Sequence, residues 1–175
     1  QGKEGISPAT RHRGTLTHVE PRMSVTAANA DNWIYINPGY EGLLALSIAY
    51  VLATEHSARV DSSVANASDL AKYAPANVSE KTGVPEARII KMAEELAANP
   101  RSLVIGGGSA AAHTNAFFNM RAIYTLNYLL SSVGKKGGVL FNPSPPLEVS
   151  TKSGSAFAEW RGLVERMRAG SVGLL

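Results

Sequence analysis

The sequence contains no cysteine. That excludes disulfides, zinc–thiolate centres and cysteine-ligated iron–sulfur clusters within the chain. It has no long apolar run either. The longest charge-free apolar stretch, "GLLALSIAYVLAT" between Glu41 and Glu55, is too short to span a bilayer and reads as a buried helix. The opening "QGKEGISPATRHRG" lacks the apolar centre of a secretory signal and does not start with methionine. Excess charge is small: 17 Lys and Arg against 14 Asp and Glu, a formal net charge of +3. No basic stripe interleaves with aromatics, which make up only 7% of the residues, so a nucleic-acid partner is not expected.

Several chemical signatures are also missing. There is no G-K-[ST], so no P-loop, and no serine elbow or readable triad. His12, His18, His56 and His113 make no metal-ligand spacing. Glu94 and Glu95 are adjacent, so they point to different faces of a helix and do not form a catalytic pair. No catalytic or metal-ligating residue is therefore predicted within this chain.

What remains suits one α/β domain with a sizeable core in 175 residues. Residues 1–14 read as a poorly structured lead-in. "TLTHVEP" predicts a short strand stopped by Pro21, and Ser24 caps a helical turn. "NWIYINPG" predicts a second strand, and "PGYEGLLALSIAYVLATEH" a helix packed on a sheet. Residues 57–74 read as a helix with loose ends, followed by a short helix from Asn77 to Thr82. "PEARIIKMAEELAANP" is the clearest helix: Pro85 and Glu86 suit its start, Asn99-Pro100 stops it, and Ile89, Ala93, Leu96 and Ala97 form its inner face. A strand over Ser102–Ile105, a glycine turn, a helix from about Asn115 to Ser132 and a strand in "GVLFN" follow. Residues 143–155 read as a Pro/Ser-rich loop. Residues 156–175 read as a last helix, closed by Gly170, and the start of a truncated strand. Both ends read as a segment cut from a longer protein. Strands alternating with helices predict a doubly wound, Rossmann-like parallel sheet with helices on both faces, a three-layer α/β/α arrangement.

The stretch "RSLVIGGGSAAAHTN" carries the strongest site signal. Gly106, Gly108 and Ala111 fit G-x-G-x-x-A after a strand. Glycine lets backbone approach a pyrophosphate, and free amides at a helix start favour anions. The nicotinamide version wants an acid about 20 positions on; here that region is "TLNYLLSSVGKKGG", which has none. A tight strand-to-helix turn where only glycine fits explains the same residues. His113 likewise suits either a phosphate or pterin contact or a helix-start hydrogen bond.

The order of three stretches is more specific than any one: "HVEPRMSVTAANADNWIYINPGYEGLLALSIAYVL", "VSEKTGVPEARIIKMAEELAANPRSLVIGGG" and "HTNAFFNMRAIYTLNYLLSSVGKKGGVLF". From about Leu16 to Phe141 this resembles the middle of the large subunit of molybdopterin oxidoreductases, the dimethyl-sulfoxide-reductase-like family. The resemblance implies a site for molybdopterin guanine dinucleotide, carrying molybdenum or tungsten, at the carboxyl ends of the strands. The implied cofactor-binding residues are Glu20, Pro21 and Arg22; Gly39 and Glu41; and Gly106, Gly107, Gly108, His113 and Asn115. In the family pattern, aspartates stand where Glu20 and Glu41 are. A carboxylate there accepts from a guanine N–H edge, and backbone amides hold phosphate.

The resemblance further implies redox chemistry and electron transfer in the parent subunit, with any iron–sulfur cluster in flanking regions. This segment alone would be inactive and without bound cofactor. Implied partners are the remaining domains of the parent chain, with iron–sulfur and membrane subunits of a respiratory complex. A periplasmic or membrane-associated setting follows for the parent. Two alternatives stay open: a cofactor-free scaffold subunit of a quinone-linked respiratory complex, suggested by "NPSPPLEVSTKSG", and the central domain of a thiamine-diphosphate enzyme, suggested by "AEELAANPRSLVIGGGSAAA".

Overall fold

Helix α2 (Glu41–Glu55) is the hub of the fold. Its apolar residues surround the cylinder, so it must be covered on several sides. Helices α3 (Ala67–Leu70), α4 (Pro75–Thr82), α5 (Glu86–Ala98) and α6 (Ala116–Leu129) cover it. Leu44, Ile48, Val51 and Leu52 of α2 share one core with Ile89 and Ala93 of α5 and Leu126 and Leu129 of α6. The computed structural model describes residues 14–57, 60–99, 101–143 and 157–173. These fall into two compact units, one up to Phe141 and one from Asn142.

Strands β1 (Thr17–Val19) and β2 (Asn32–Ile34) pair in parallel, with His18 opposite Trp33. Helix α1 (Val25–Asn29) connects them, and the Ser24 hydroxyl accepts from the Ala27 N–H at 3.2 Å as its cap, as the sequence predicts. After β2 the chain is held by α4: Asn37 N–H donates to Thr82 O at 2.8 Å, and the Asn37 amide to Lys81 O at 3.0 Å. Those bonds place Pro38 and Gly39 at the start of α2. Gly83, at φ +75°, ends α4 in the left-handed conformation glycine favours. Helix α5 buries Ile89, Ala93 and Ala97, with Leu96 half-buried beside them.

Three local expectations need correction: the strand over Ser102–Ile105, the strand in "GVLFN" and the helix over residues 57–74. The described residues carry a two-stranded parallel sheet within a mixed α/β, helix-rich fold. Ser102–Ile105 forms no strand and pairs with none among the described residues; the Asn127 side chain pairs with Val104 instead. "GVLFN" contributes one isolated parallel bridge, Val133 with Val139, and no strand. Residues 60–74 form turns, the short α3 and a 3-10 turn, Ala71–Tyr73, because Asn66 caps locally by accepting from Asp69 N–H. The glycine turn leads into a 3-10 turn, Gly108–Ala111, before α6 begins at Ala116.

The second unit contains α7 (Phe157–Arg168), followed by Gly170 at φ +66°. Trp160, Val164 and Met167 are exposed along one of its faces. The proline- and serine-rich loop expected at 143–155 lies outside the described residues beyond its first position. Among the described residues no helix is long and apolar enough to cross a membrane.

Candidate functional site

The start of α2 meets the start of α6. Pro38, Gly39, Tyr40, His113, Asn115 and Phe118 help line an open cleft of about 450 Å³ there. Gly39 has φ +87°, and a side chain on it would meet the His113 ring at 3.7 Å and Asn115 Oδ1 at 3.8 Å. Asn115 Nδ2 donates to Gly39 O at 2.8 Å. Gly39 from one expected motif and His113 and Asn115 from another are thus brought together.

Glu41 lies in the first turn of α2, where the helix's positive end favours a carboxylate. It is only 6% exposed. Its Oε2 accepts from Asn119 Nδ2 at 3.2 Å, while Oε1 is buried with no hydrogen-bond partner among the described residues. A buried oxygen of this kind normally has a donor. Asn119 is fully buried and also links to Asn115, whose Nδ2 lies 3.4 Å from its Oδ1. A hydrogen-bonded path therefore runs from the cleft lining to the Glu41 carboxylate.

Glu20, Pro21 and Arg22 form a different cluster at the end of β1. Glu20 Oε2 lies 3.2 Å from His18 Nε2, and Oε1 lies 3.7 Å from Arg22 Nε. Trp33 Nε1 donates to Glu20 O at 3.2 Å. The Ser24 hydroxyl holds the Glu20 carboxyl below its ordinary value of 4.5; partial burial opposes this, and His18 and Arg22 reinforce it. A lowered folded-state pKa means stabilisation that is complete above the ordinary carboxylate value and lost as pH falls through the lowered one. Glu20→Gln should therefore destabilise the chain at neutral pH. The gap to wild type should close as urea midpoints are followed down through pH 4 and below.

Gly106 and Gly108 of the glycine turn are constrained in different ways. A side chain on Gly106 would meet Met120 Cε at 3.0 Å and Ile123 Cγ2 at 3.2 Å, so it would fit only if the Met120 and Ile123 side chains on α6 gave way by a few tenths of an ångström. The Tyr124 hydroxyl donates to Gly106 O at 3.2 Å. Gly108, at φ +56°, needs glycine for its backbone. Both Gly107 and Gly108 face open space.

Sequence reasoning missed Asn119 and Asn127, both fully buried in α6. A signal existed: Asn115, Asn119 and Asn127 recur at four and eight residues on one helical face, where asparagine is a poor helix former. Among the described residues no group of three or more His, Cys, Asp or Glu could hold a metal ion.

The geometry defines a helix-start cleft, with a buried carboxylate behind it, in an α/β fold. Comparison with known proteins then gives the class. No model of a known protein family matches the chain. The menaquinone reductase molybdopterin-binding-like subunit of Nitratidesulfovibrio vulgaris is 36% identical over 126 residues, 71% of this chain and 18% of that protein. A dimethyl sulfoxide reductase of Escherichia coli is 28% identical, covering 85% of this chain and 23% of that protein. The thiosulfate reductase molybdopterin-containing subunit of Salmonella typhimurium is 26% identical, covering 78% and 20%. The acetylene hydratase of Pelobacter acetylenicus shares the fold, with a TM-score of 0.59 at 21% identity over 67% of this chain and 17% of that one. The chain is related to the molybdopterin oxidoreductases of the dimethyl-sulfoxide-reductase-like family, and it spans about a fifth of the length of the curated relatives it matches. These relatives favour the molybdopterin reading over the thiamine-diphosphate one.

Proposed function

We propose that the chain is part of the large subunit of a molybdopterin-dependent oxidoreductase and contributes to its molybdopterin guanine dinucleotide site. The observation that carries this reading is the buried Glu41 Oε1, an acceptor without a donor at the start of α2. The residues present fit the group. Glu41 would accept from the guanine N–H edge, and Gly39, His113 and Asn115 would line the approach. The open backbones of Gly107 and Gly108 would offer amides to phosphate. Glu20–Arg22 would add a second contact region, with Glu20 already held by its own neighbours. When bound, the cofactor supplies two-electron redox chemistry at molybdenum or tungsten; this chain's share is binding, orientation and electrostatic tuning.

In the complete subunit, residues 15–142 would form one domain. There the two-stranded sheet would be part of a three-layer, doubly wound arrangement. Partners would be the other domains of that subunit and, in a respiratory complex, iron–sulfur and membrane subunits.

The test is metal and pterin analysis of the full-length protein from a host that makes the cofactor. About one molybdenum or tungsten and one guanine dinucleotide per protein are expected. A folded protein carrying neither would overturn the reading. It would support the second one, a cofactor-free electron-transfer scaffold, which is favoured by Glu20 and Glu41 standing at aspartate positions of the family pattern.

A further inference from the structure

We infer that Asn119 is the positioning residue of this site: it ties down one oxygen of Glu41 and leaves the other for a ligand N–H donor. The inference rests on the preceding reading of the cleft. Asn119 is 0% exposed. Its Nδ2 donates to Glu41 Oε2 and to Ala110 O, each at 3.2 Å. Its Oδ1 accepts from the Gly42 N–H at 3.1 Å and lies 3.4 Å from Asn115 Nδ2. Two donors and two acceptor sites are the whole capacity of an asparagine amide, and all are used.

The orientation of that amide follows from its neighbours. Flipped, its NH2 would face the Gly42 N–H, and its carbonyl would face a carboxylate and the Ala110 carbonyl. Only one orientation satisfies the site, so Glu41 always meets a donor at Oε2. Asn119 thereby joins the start of α2, the 3-10 turn after the glycines and the cleft residue Asn115.

This arrangement gives a donor–acceptor logic that a purely structural role lacks. In Glu41→Gln, the Asn119 NH2 selects the new amide's carbonyl and turns its NH2 toward the ligand's donor, the wrong group. In Asn119→Asp, two carboxylates face each other. In the double variant, the amide introduced by Glu41→Gln donates to the carboxylate introduced by Asn119→Asp and again presents a carbonyl to the ligand.

The readout is the rate at which guanine dinucleotide leaves the full-length holoprotein. It is measured as guanosine monophosphate released by acid from the protein fraction after timed gel filtration. Each single change, and Asn119→Leu, should speed loss by about tenfold or more, the scale of one buried hydrogen bond. The Asn119→Asp/Glu41→Gln pair should lose dinucleotide more slowly than either single variant, yet short of wild type, because the introduced carboxylate also faces the Ala110 carbonyl. Losses that multiply in the pair, or an unchanged rate in Asn119→Leu, would overturn the positioning role. If Asn119→Leu fails to fold, the exchange pair decides. If the pair also fails to fold, Asn119 is structural and the inference falls. A wild-type protein that holds no dinucleotide would instead overturn the site reading itself, so the two failures are distinguishable.

Discussion

Gly42→Ala is expected to destabilise the chain by about 3 kcal/mol, near the upper end for overpacking a tight contact. A Cβ on Gly42 would lie 2.7 Å from Asn119 Oδ1, 2.8 Å from Asn119 Cα and 3.0 Å from Phe118 Cε1. The phenyl ring could turn aside. The Cα cannot, because it is backbone in α6, which packs against α2. Relief requires the two helices to separate where they cross. Separation would lengthen the Gly42 N–H to Asn119 Oδ1 bond and leave a buried donor unpaired. Alanine's better helix propensity opposes this by only about 1 kcal/mol, so the clash sets the sign. Gly162 in α7 provides the contrast: nothing lies within 4 Å of an added Cβ, and alanine there should strengthen its helix. Urea midpoints measured at unchanged m-value distinguish the two cases. A neutral Gly42→Ala would mean that α2 and α6 can slide apart without cost.

The same contact shows why some of the fold was legible in the sequence and some was not. Helix α5 could be read because its information is local: proline before it, acid at its start, apolar residues at helical spacing. The Ser24 cap was legible for the same reason. Ser102–Ile105 looks like a strand because strand propensity records an extended, apolar segment, not its partner. Here the partner is a side chain 23 residues further on. "GVLFN" misled similarly, since a single bridge has no pattern of its own.

At the site, the motif order pointed to Gly39, His113 and Asn115, and these three meet. Glu41 was indicated too, but its buried, half-satisfied state depends on Asn119, 78 positions away. No local pattern encodes that distance. Glu20 was grouped with them by motif order, yet its own bonds run to His18, Arg22 and the β2 side chain Trp33. Family order names residues that share a region of a large subunit; side-chain contacts within one segment are a finer matter.

Asn127→Ala should be nearly as damaging, about 2–3 kcal/mol, by a different mechanism. Asn127 is only 1% exposed. Its Oδ1 accepts from the Val104 N–H at 2.9 Å, and its Nδ2 donates to Val104 O at 2.7 Å. Ser132 holds the end of α6 around it, with Ser132 N–H and Oγ both bonded to Asn127 O at 2.9 and 3.0 Å. The amide does for Val104 what a neighbouring strand does elsewhere. Alanine would leave two half-buried backbone groups without partners, each costing on the order of 1 kcal/mol, and a small void besides. A loss of this size lowers the melting temperature by roughly 8 °C in a chain of this length. The effect should also be local. Val104 begins the run into Gly106–Gly108, so amide exchange at Val104 and across the glycine turn should accelerate more than exchange in α5. Asn127→Asp keeps the acceptor but sets a carboxylate against the Val104 carbonyl, so it should not rescue. If exchange at Val104 stays slow in Asn127→Ala, another contact holds the segment. If it accelerates as expected, the placement of the glycine turn depends on a single side chain of α6. That helix then organises two segments through single side chains, Asn119 acting on the start of α2 and Asn127 on the run into the glycine turn.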